Sequence, residues 1–164
     1  MGGMINILFV CSANRFRSVI AAEYFRSLLK NDNSKKEWQV SSAGTWAING
    51  MYPISQAIVF GKSRGLAIET VLSRELDREL LHSATMVIVM TESQREALDI
   101  EFPEVKTRVF LLSEICVGQL YDIPDPVEKV DETGMEIGDE ICTLISSGFE
   151  RICNQAKQIH DQRI

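Results

Sequence analysis

The sequence predicts a single α/β domain, a doubly wound four-stranded parallel sheet flanked by helices on both faces. Three observations carry this. The strongest apolar stretches, Ile5 to Val10 and Met86 to Met90, are short and nearly continuous, as in strands buried on both faces. Segments with helical apolar spacing alternate with such strands, the pattern of βαβ units. The chain's 164 residues, 45% of them hydrophobic, suffice for one core without disulfide support. The domain is expected to run from residue 4 to residue 164, with no linker or internal repeat.

Taken in order, Ile5 to Val10 forms the first strand and leads through Cys11 into a loop. From Arg17 to Lys30, Ile20, Tyr24 and Leu28 share one helical row, and Ala21, Phe25 and Leu29 share the next, which predicts a helix lying on a sheet. The polar run Asn31 to Glu37 ends it. Trp38 to Ser42 reads as the second strand, followed by Gly44, where a tight turn is expected beside the first loop. Pro53 to Arg64 is the second helix, stopped at Gly65. A weaker helical stretch covers Leu76 to His82. Met86 to Met90 is the third and central strand. Thr91 opens a short helix to about Leu98, Phe102 and Pro103 break it, and Arg108 to Leu112 supplies the fourth strand. Asp122 to Pro126 is a proline-stiffened loop. Apolar spacing through Met135, Ile141, Leu144, Ile145, Phe149 and Ile152 predicts a C-terminal helix from Glu132 to about His160, with Gly148 the candidate for an interruption. Parallel crossovers bring the loops after all four strands to one edge.

Composition removes several function classes. The net charge of −6 disfavours nucleic acid or an anionic membrane as a partner, because both require a basic footprint. The four cysteines, at positions 11, 116, 142 and 153, form no CxxC or Cys/His pattern, so neither a disulfide framework nor zinc is expected. No apolar run approaches the ~18 residues that span a bilayer, and no signal-peptide pattern opens the chain. A soluble, cytoplasmic protein with reduced thiols follows as the expectation.

The chemistry lies in Cys11 Ser12 Ala13 Asn14 Arg15 Phe16 Arg17 Ser18. A loop curling from Cys11 to Arg17 at a strand-to-helix junction aims backbone N–H groups and the Arg17 guanidinium at one phosphate-sized anion, with Cys11 beneath it. The same field stabilises a thiolate nucleophile, and Ser18 supplies a hydroxyl to it from the first helical turn. Arg15 and Arg17 form a small basic pocket on an acidic body, suited to a compact anionic substrate. A thiolate attacking a phosphate monoester needs its non-bridging oxygens held and its leaving oxygen protonated. Arg17 and the loop amides meet the first need. Asp122 and Asp125 are both candidates for the acid, and either could instead cap a turn.

Cys11 to Ser18, Ser42 to Thr45, the apolar strand ending at Met90 and the Asp125 Pro126 pair together resemble the low-molecular-weight protein tyrosine phosphatases. The resemblance covers nearly the whole chain. It implies a phosphatase acting through a cysteinyl phosphate, with Cys11 as nucleophile, Arg17 as phosphate clamp and Asp125 as general acid and later base. Ser12, Ala13, Asn14, Arg15, Phe16 and Ser18 then form and support the phosphate loop. It implies neither a metal nor a cofactor, a phosphorylated protein or small phosphate monoester as substrate, and inorganic phosphate as product.

Departures from the family pattern carry their own expectations. Ala13 stands where glycine is usual, so backbone strain is expected there, although Asn14 can take the left-handed conformation, and a formed but slightly altered loop is expected. Phe16 stands where a second cysteine is frequent, leaving oxidised Cys11 without a disulfide partner. Val127 and Glu128 replace tandem tyrosines found after Asp-Pro in some members. Trp46 and Phe16 are candidates to wall a slot for a phenyl phosphate, and phosphotyrosine is the favoured substrate. Arg15 at the loop mouth is expected to repel the guanidinium of phosphoarginine, a substrate of some relatives. Alternatives are a phosphatase for phosphoarginine or small-molecule phosphates, a catalytically impaired phosphate-binding module, and a cysteine hydrolase pairing Cys11 with His82 or His160. An arsenate reductase needs two further cysteines near the loop after the third strand, and none lies between Cys11 and Cys116.

Overall fold

The computed structural model describes residues 3–32, 35, 37–126 and 133–163. Four parallel strands, β1 (Ile5–Cys11), β2 (Trp38–Gly44), β3 (Met86–Val89) and β4 (Val109–Leu111), lie in the order β2-β1-β3-β4. The helices are α1 (Arg17–Lys30), α2 (Ser55–Arg64), α3 (Arg78–Ser83), α4 (Glu92–Glu101), α5 (Leu112–Val117) and α6 (Thr133–Arg163).

The period of two along each central strand divides the core. Ile5, Ile7, Phe9 and Cys11 of β1, with Met86 and Ile88 of β3, face the layer that holds α1, α2, α5 and α6. Leu8 and Val10, with Val87 and Val89, face α3 and α4 through Leu81 and Leu98. Both faces are therefore apolar, which explains the unbroken hydrophobic runs. On the first face Phe25 joins α1 to the sheet and to α6, its ring centroid 5.7 Å from Phe9 and 5.1 Å from Phe149. Among the described residues, no helix is long and apolar enough to cross a membrane.

Several elements differ from the sequence expectation. β2 extends to Gly44, β3 ends at Val89, and α4 continues to Glu101 before Pro103 opens a short 3-10 turn. The weak stretch after Leu76 is helical only over Arg78–Ser83, where the Asp77 side chain accepts from the Leu80 N–H. The fourth strand is three residues rather than five, because Leu112 starts α5 and buries itself with Cys116. Gly148 does not interrupt α6. A Cβ there would sit 2.5 Å from Cys116 Cα, so the glycine lets α5 press against α6. Gly65 ends α2 as expected, with φ at 69°. Val127, Glu128 and the expected helix start at Glu132 lie outside the described residues.

Parallel strands place every following loop at one end of the sheet. β1 leads to β2 on one side and neighbours β3 on the other, so the loop after β1 occupies the switch point where open α/β sheets bind ligands.

Candidate active site

β1 ends at Cys11 and α1 begins at Arg17, so the intervening loop is the first turn outside a helix N-terminus. None of the backbone N–H groups of Ser12 to Ser18 bonds another backbone group among the described residues, which leaves them for an anion. Asn14 takes the left-handed conformation, with φ at 57°. Ala13 has no positive φ, so the expected strain at that position is absent. The sharp bend falls one residue later, on a side chain that tolerates it.

Asn14 is also the loop's internal brace. Its Oδ1 accepts from the Arg74 N–H at 3.0 Å, and its Nδ2 donates to Ser18 Oγ at 2.7 Å. Ser18 Oγ lies 2.9 Å from Cys11 Sγ, and because it accepts from Asn14 its own proton is free to be donated to a thiolate there. Cys11, Asn14 and Ser18 are all buried, so this relay is shielded from competing water. Gly44 makes the packing possible, though as the last residue of β2 rather than as a turn. A Cβ there would lie 2.4 Å from the Ser12 carbonyl oxygen and 2.9 Å from Asn14 N. Thr45 N–H and Trp46 N–H then donate to the carbonyls of Cys11 and Ser12, each at 2.9 Å, tying the loop after β2 to the loop after β1.

Arg17 is 4% exposed, and its position is set from the far loop. Nη1 donates to the Ile123 carbonyl at 2.9 Å, while Nη2 lies 3.5 Å from both Ser12 Oγ and Asp125 Oδ2. The Ile123 N–H donates in turn to the Met90 carbonyl at 3.0 Å, docking this loop on the end of β3. The two aspartates separate here. Asp122 Oδ1 accepts from the Glu92 N–H at 2.8 Å and serves the start of α4, whereas Asp125 stands beside the guanidinium.

Phe16 is 3% exposed and belongs to the core, so it does not wall a substrate slot; the loop needs an apolar anchor there before the helix starts. Trp46 is 87% exposed and lines a groove that includes Ser12. Arg15 is half-buried, and its Nε donates to the Tyr52 carbonyl at 2.8 Å, which holds the guanidinium at the loop rim. A larger cavity of about 560 Å³ follows the β2 edge and contains none of these loop residues.

Gln94, Arg74 and Ile123 are contributors that sequence reasoning missed. Gln94 is buried; its Oε1 accepts from Met90 N and Thr91 N, and its Nε2 donates to Ser12 Oγ at 3.1 Å. The Thr91-x-x-Gln94 capping box was the available signal for the first half of that role. Burial pushes the Cys116, Cys142 and Cys153 thiols up to about 12 and keeps them protonated. His82 pairs with Glu104, and His160 bonds the Gly3 carbonyl near the start of β1, so neither histidine accompanies Cys11. Among the described residues, no group of three or more His, Cys, Asp or Glu is placed to hold a metal ion.

Comparison with known proteins agrees with this geometry. The chain is 33% identical over 146 residues to a protein-arginine-phosphatase of Geobacillus stearothermophilus, covering 89% of this chain and 95% of that one. It is 29% identical over 126 residues to a putative low-molecular-weight protein-tyrosine-phosphatase of Klebsiella pneumoniae, covering 77% and 82%. The structure of the low-molecular-weight protein tyrosine phosphatase from T. tengcongensis superposes with a TM-score of 0.82 at 29% identity, over 90% of this chain and 99% of that chain. The YwlE arginine phosphatase from G. stearothermophilus gives 0.79 at 29%, over 97% and 95%. The profile described as "Low molecular weight phosphotyrosine protein phosphatase" matches residues 6–162, and the chain belongs to that family of cysteine-based phosphoric monoester hydrolases.

Proposed function

We propose that residues 4–164 form one protein phosphotyrosine phosphatase domain in which Cys11, Arg17 and Asp125 are the catalytic residues. The observation that supports this most is the convergence of Cys11 at the end of β1, Arg17 at the start of α1 and Asp125, 3.5 Å from Arg17, on a distant loop.

The first step is in-line attack of the Cys11 thiolate on phosphorus. An S–P bond forms as the P–O bond to the tyrosyl oxygen breaks, and Asp125 gives its proton to that oxygen. The planar Arg17 fork and the loop amides hold the equatorial oxygens, where charge gathers in the transition state. Ser18 stabilises the thiolate before attack and as it leaves. In the second step Asp125, now a carboxylate, takes a proton from water as its oxygen attacks phosphorus. The S–P bond breaks, releasing inorganic phosphate and restoring the thiolate.

Arg15 supports tyrosine over arginine. Its guanidinium is fixed at the loop rim by Tyr52, where it repels the cationic guanidinium of phosphoarginine and leaves a neutral phenyl ring unaffected. The second reading, a phosphoarginine phosphatase, draws on the relatives at 33% and 30% identity that carry that name. Kinetics on matched phosphotyrosine, phosphoserine and phosphoarginine peptides and sugar phosphates decide between them. Higher kcat/KM on phosphotyrosine, with phosphoarginine activity gained in Arg15→Thr, is expected; phosphoarginine as the best substrate of the unaltered protein overturns the reading.

A further inference from the structure

A groove of about 380 Å³ opens beside the phosphate loop and shares Ser12 with it, a volume within the range of ligand pockets. Ser12 and Gln94, joined by their 3.1 Å hydrogen bond, belong to its lining; Trp46 and Phe102 add aromatic surface. Its charge comes from Glu75 and Glu101, and no Lys, Arg or His lines it among the described residues. Neither carboxylate forms an ion pair among those residues, although nine other acidic side chains do. The nearby cations are committed elsewhere. Arg78 stacks on Phe102 with 4.9 Å to the ring centroid and pairs with Glu104, and Arg74 Nε donates to the Ser42 carbonyl.

Two adjoining seats of opposite sign result: a phosphate loop carrying Arg15 and Arg17, and a groove carrying Glu75 and Glu101. We propose that this groove binds the side chain of a lysine or arginine lying within two residues of the phosphorylated residue in a protein substrate. The proposal rests on the phosphatase reading above and adds to it a sequence preference. A long basic side chain matches the lining: its aliphatic stem lies along Trp46, and its cation meets the two carboxylates and the indole face. An acidic residue at the same place in the substrate is repelled, so the groove selects both for one sign and against the other. Trp46, more exposed than a core or wall residue, thereby acquires a contact of its own.

Matched phosphotyrosine peptides with Lys, Ala or Glu at each flanking position test this. Two solvent-exposed ion pairs and one cation–π contact give roughly a three- to thirtyfold higher kcat/KM for the best Lys peptide over its Ala counterpart. The gain sits mainly in KM and shrinks with added salt. Glu75→Gln and Glu101→Gln each reduce it, and the double variant removes it, while turnover of p-nitrophenyl phosphate stays unchanged because that substrate does not reach the groove. Equal kcat/KM for all peptides overturns the proposal, as does a Lys preference that survives in the double variant. So does loss of p-nitrophenyl phosphate turnover in parallel with peptide turnover, which would place the glutamates in support of the loop. Binding of the same peptides to Cys11→Ser protein, read by tryptophan fluorescence, keeps the two readings apart: Lys-dependent binding there sustains the groove, whereas failure of the unaltered protein to hydrolyse the peptides refutes the catalytic reading alone.

Discussion

Substitution of Asn14 separates backbone strain from hydrogen bonding in the phosphate loop. The residue holds φ at 57° and makes two side-chain bonds, to Arg74 N and Ser18 Oγ, while almost fully buried. Asn14→Ala incurs about 1–2 kcal/mol for placing a Cβ without local compensation in the left-handed region. It also loses two hydrogen bonds worth about 1 kcal/mol each and strands the Arg74 N–H, giving a total of about 3–4 kcal/mol. Asn14→Gly loses the same bonds but adopts positive φ freely, at an entropic cost of roughly 0.5–1 kcal/mol. The glycine variant is therefore expected to be about 1 kcal/mol more stable than the alanine variant in urea denaturation. Asn14→Asp keeps the acceptor for Arg74 N and loses the donor to Ser18. It adds a negative charge beneath the anion seat, so stability falls modestly while aryl phosphate hydrolysis drops by about 10²-fold or more. An alanine variant as stable as the glycine variant refutes the strain argument. An aspartate variant with normal kcat/KM refutes the anion-seat argument.

Asp122→Ala is expected to lower stability by about 0.5–2 kcal/mol through loss of the bond to Glu92 N–H, with kcat nearly unchanged, whereas Asp125→Ala lowers kcat by about 10²–10⁴ on an aryl phosphate with a poor leaving group; equal kinetic loss at both contradicts the assignment. Gly148→Ala, which helix propensity alone would favour, is expected to cost about 1–3 kcal/mol because the new Cβ falls 2.5–2.6 Å from Cys116 atoms, and an increased urea midpoint contradicts this. The buried thiols of Cys116, Cys142 and Cys153 rise from an ordinary value of 9.0 to about 12 in the folded chain. Their contribution to stability is fully present below pH 9 and lost as pH rises toward 12, at about 1.4 kcal/mol per pH unit per thiol. Cys142→Ala with Cys153→Ala should flatten the alkaline limb of a stability-against-pH curve, and an unchanged slope counts against that account.

What the sequence made legible was local. Cys11 to Ser18 is contiguous, so its strand, loop and helix start could be read together, as could the two-faced burial of β1 and β3. Contacts between distant segments were not legible. Asp122 and Asp125 are indistinguishable until Glu92 N–H, thirty residues from Asp122, is seen to occupy one of them. Gln94 reads as a helix cap, and only the packing of α4 against the loop brings its other end to Ser12. Gly148 looked like a helix interruption because glycine is a poor helix former; contact with α5 overrides propensity. Ala13 looked strained by analogy, but the bend falls on Asn14, whose tolerance of the left-handed conformation was legible from its residue type. Phe16 looked like a pocket wall because an aromatic beside a catalytic loop carries no mark of which way it turns, and the demand of the core decided it.

The central claim is a phosphoryl group carried by Cys11. Rapid quench of Asp125→Ala during turnover of an aryl phosphate, followed by peptide mapping in acid-free conditions, should place one phosphoryl group on the peptide containing Cys11 and none on the same peptide from Cys11→Ser protein. Turnover that proceeds with no phosphorylated cysteine, or with the phosphoryl group on any other residue, contradicts the account.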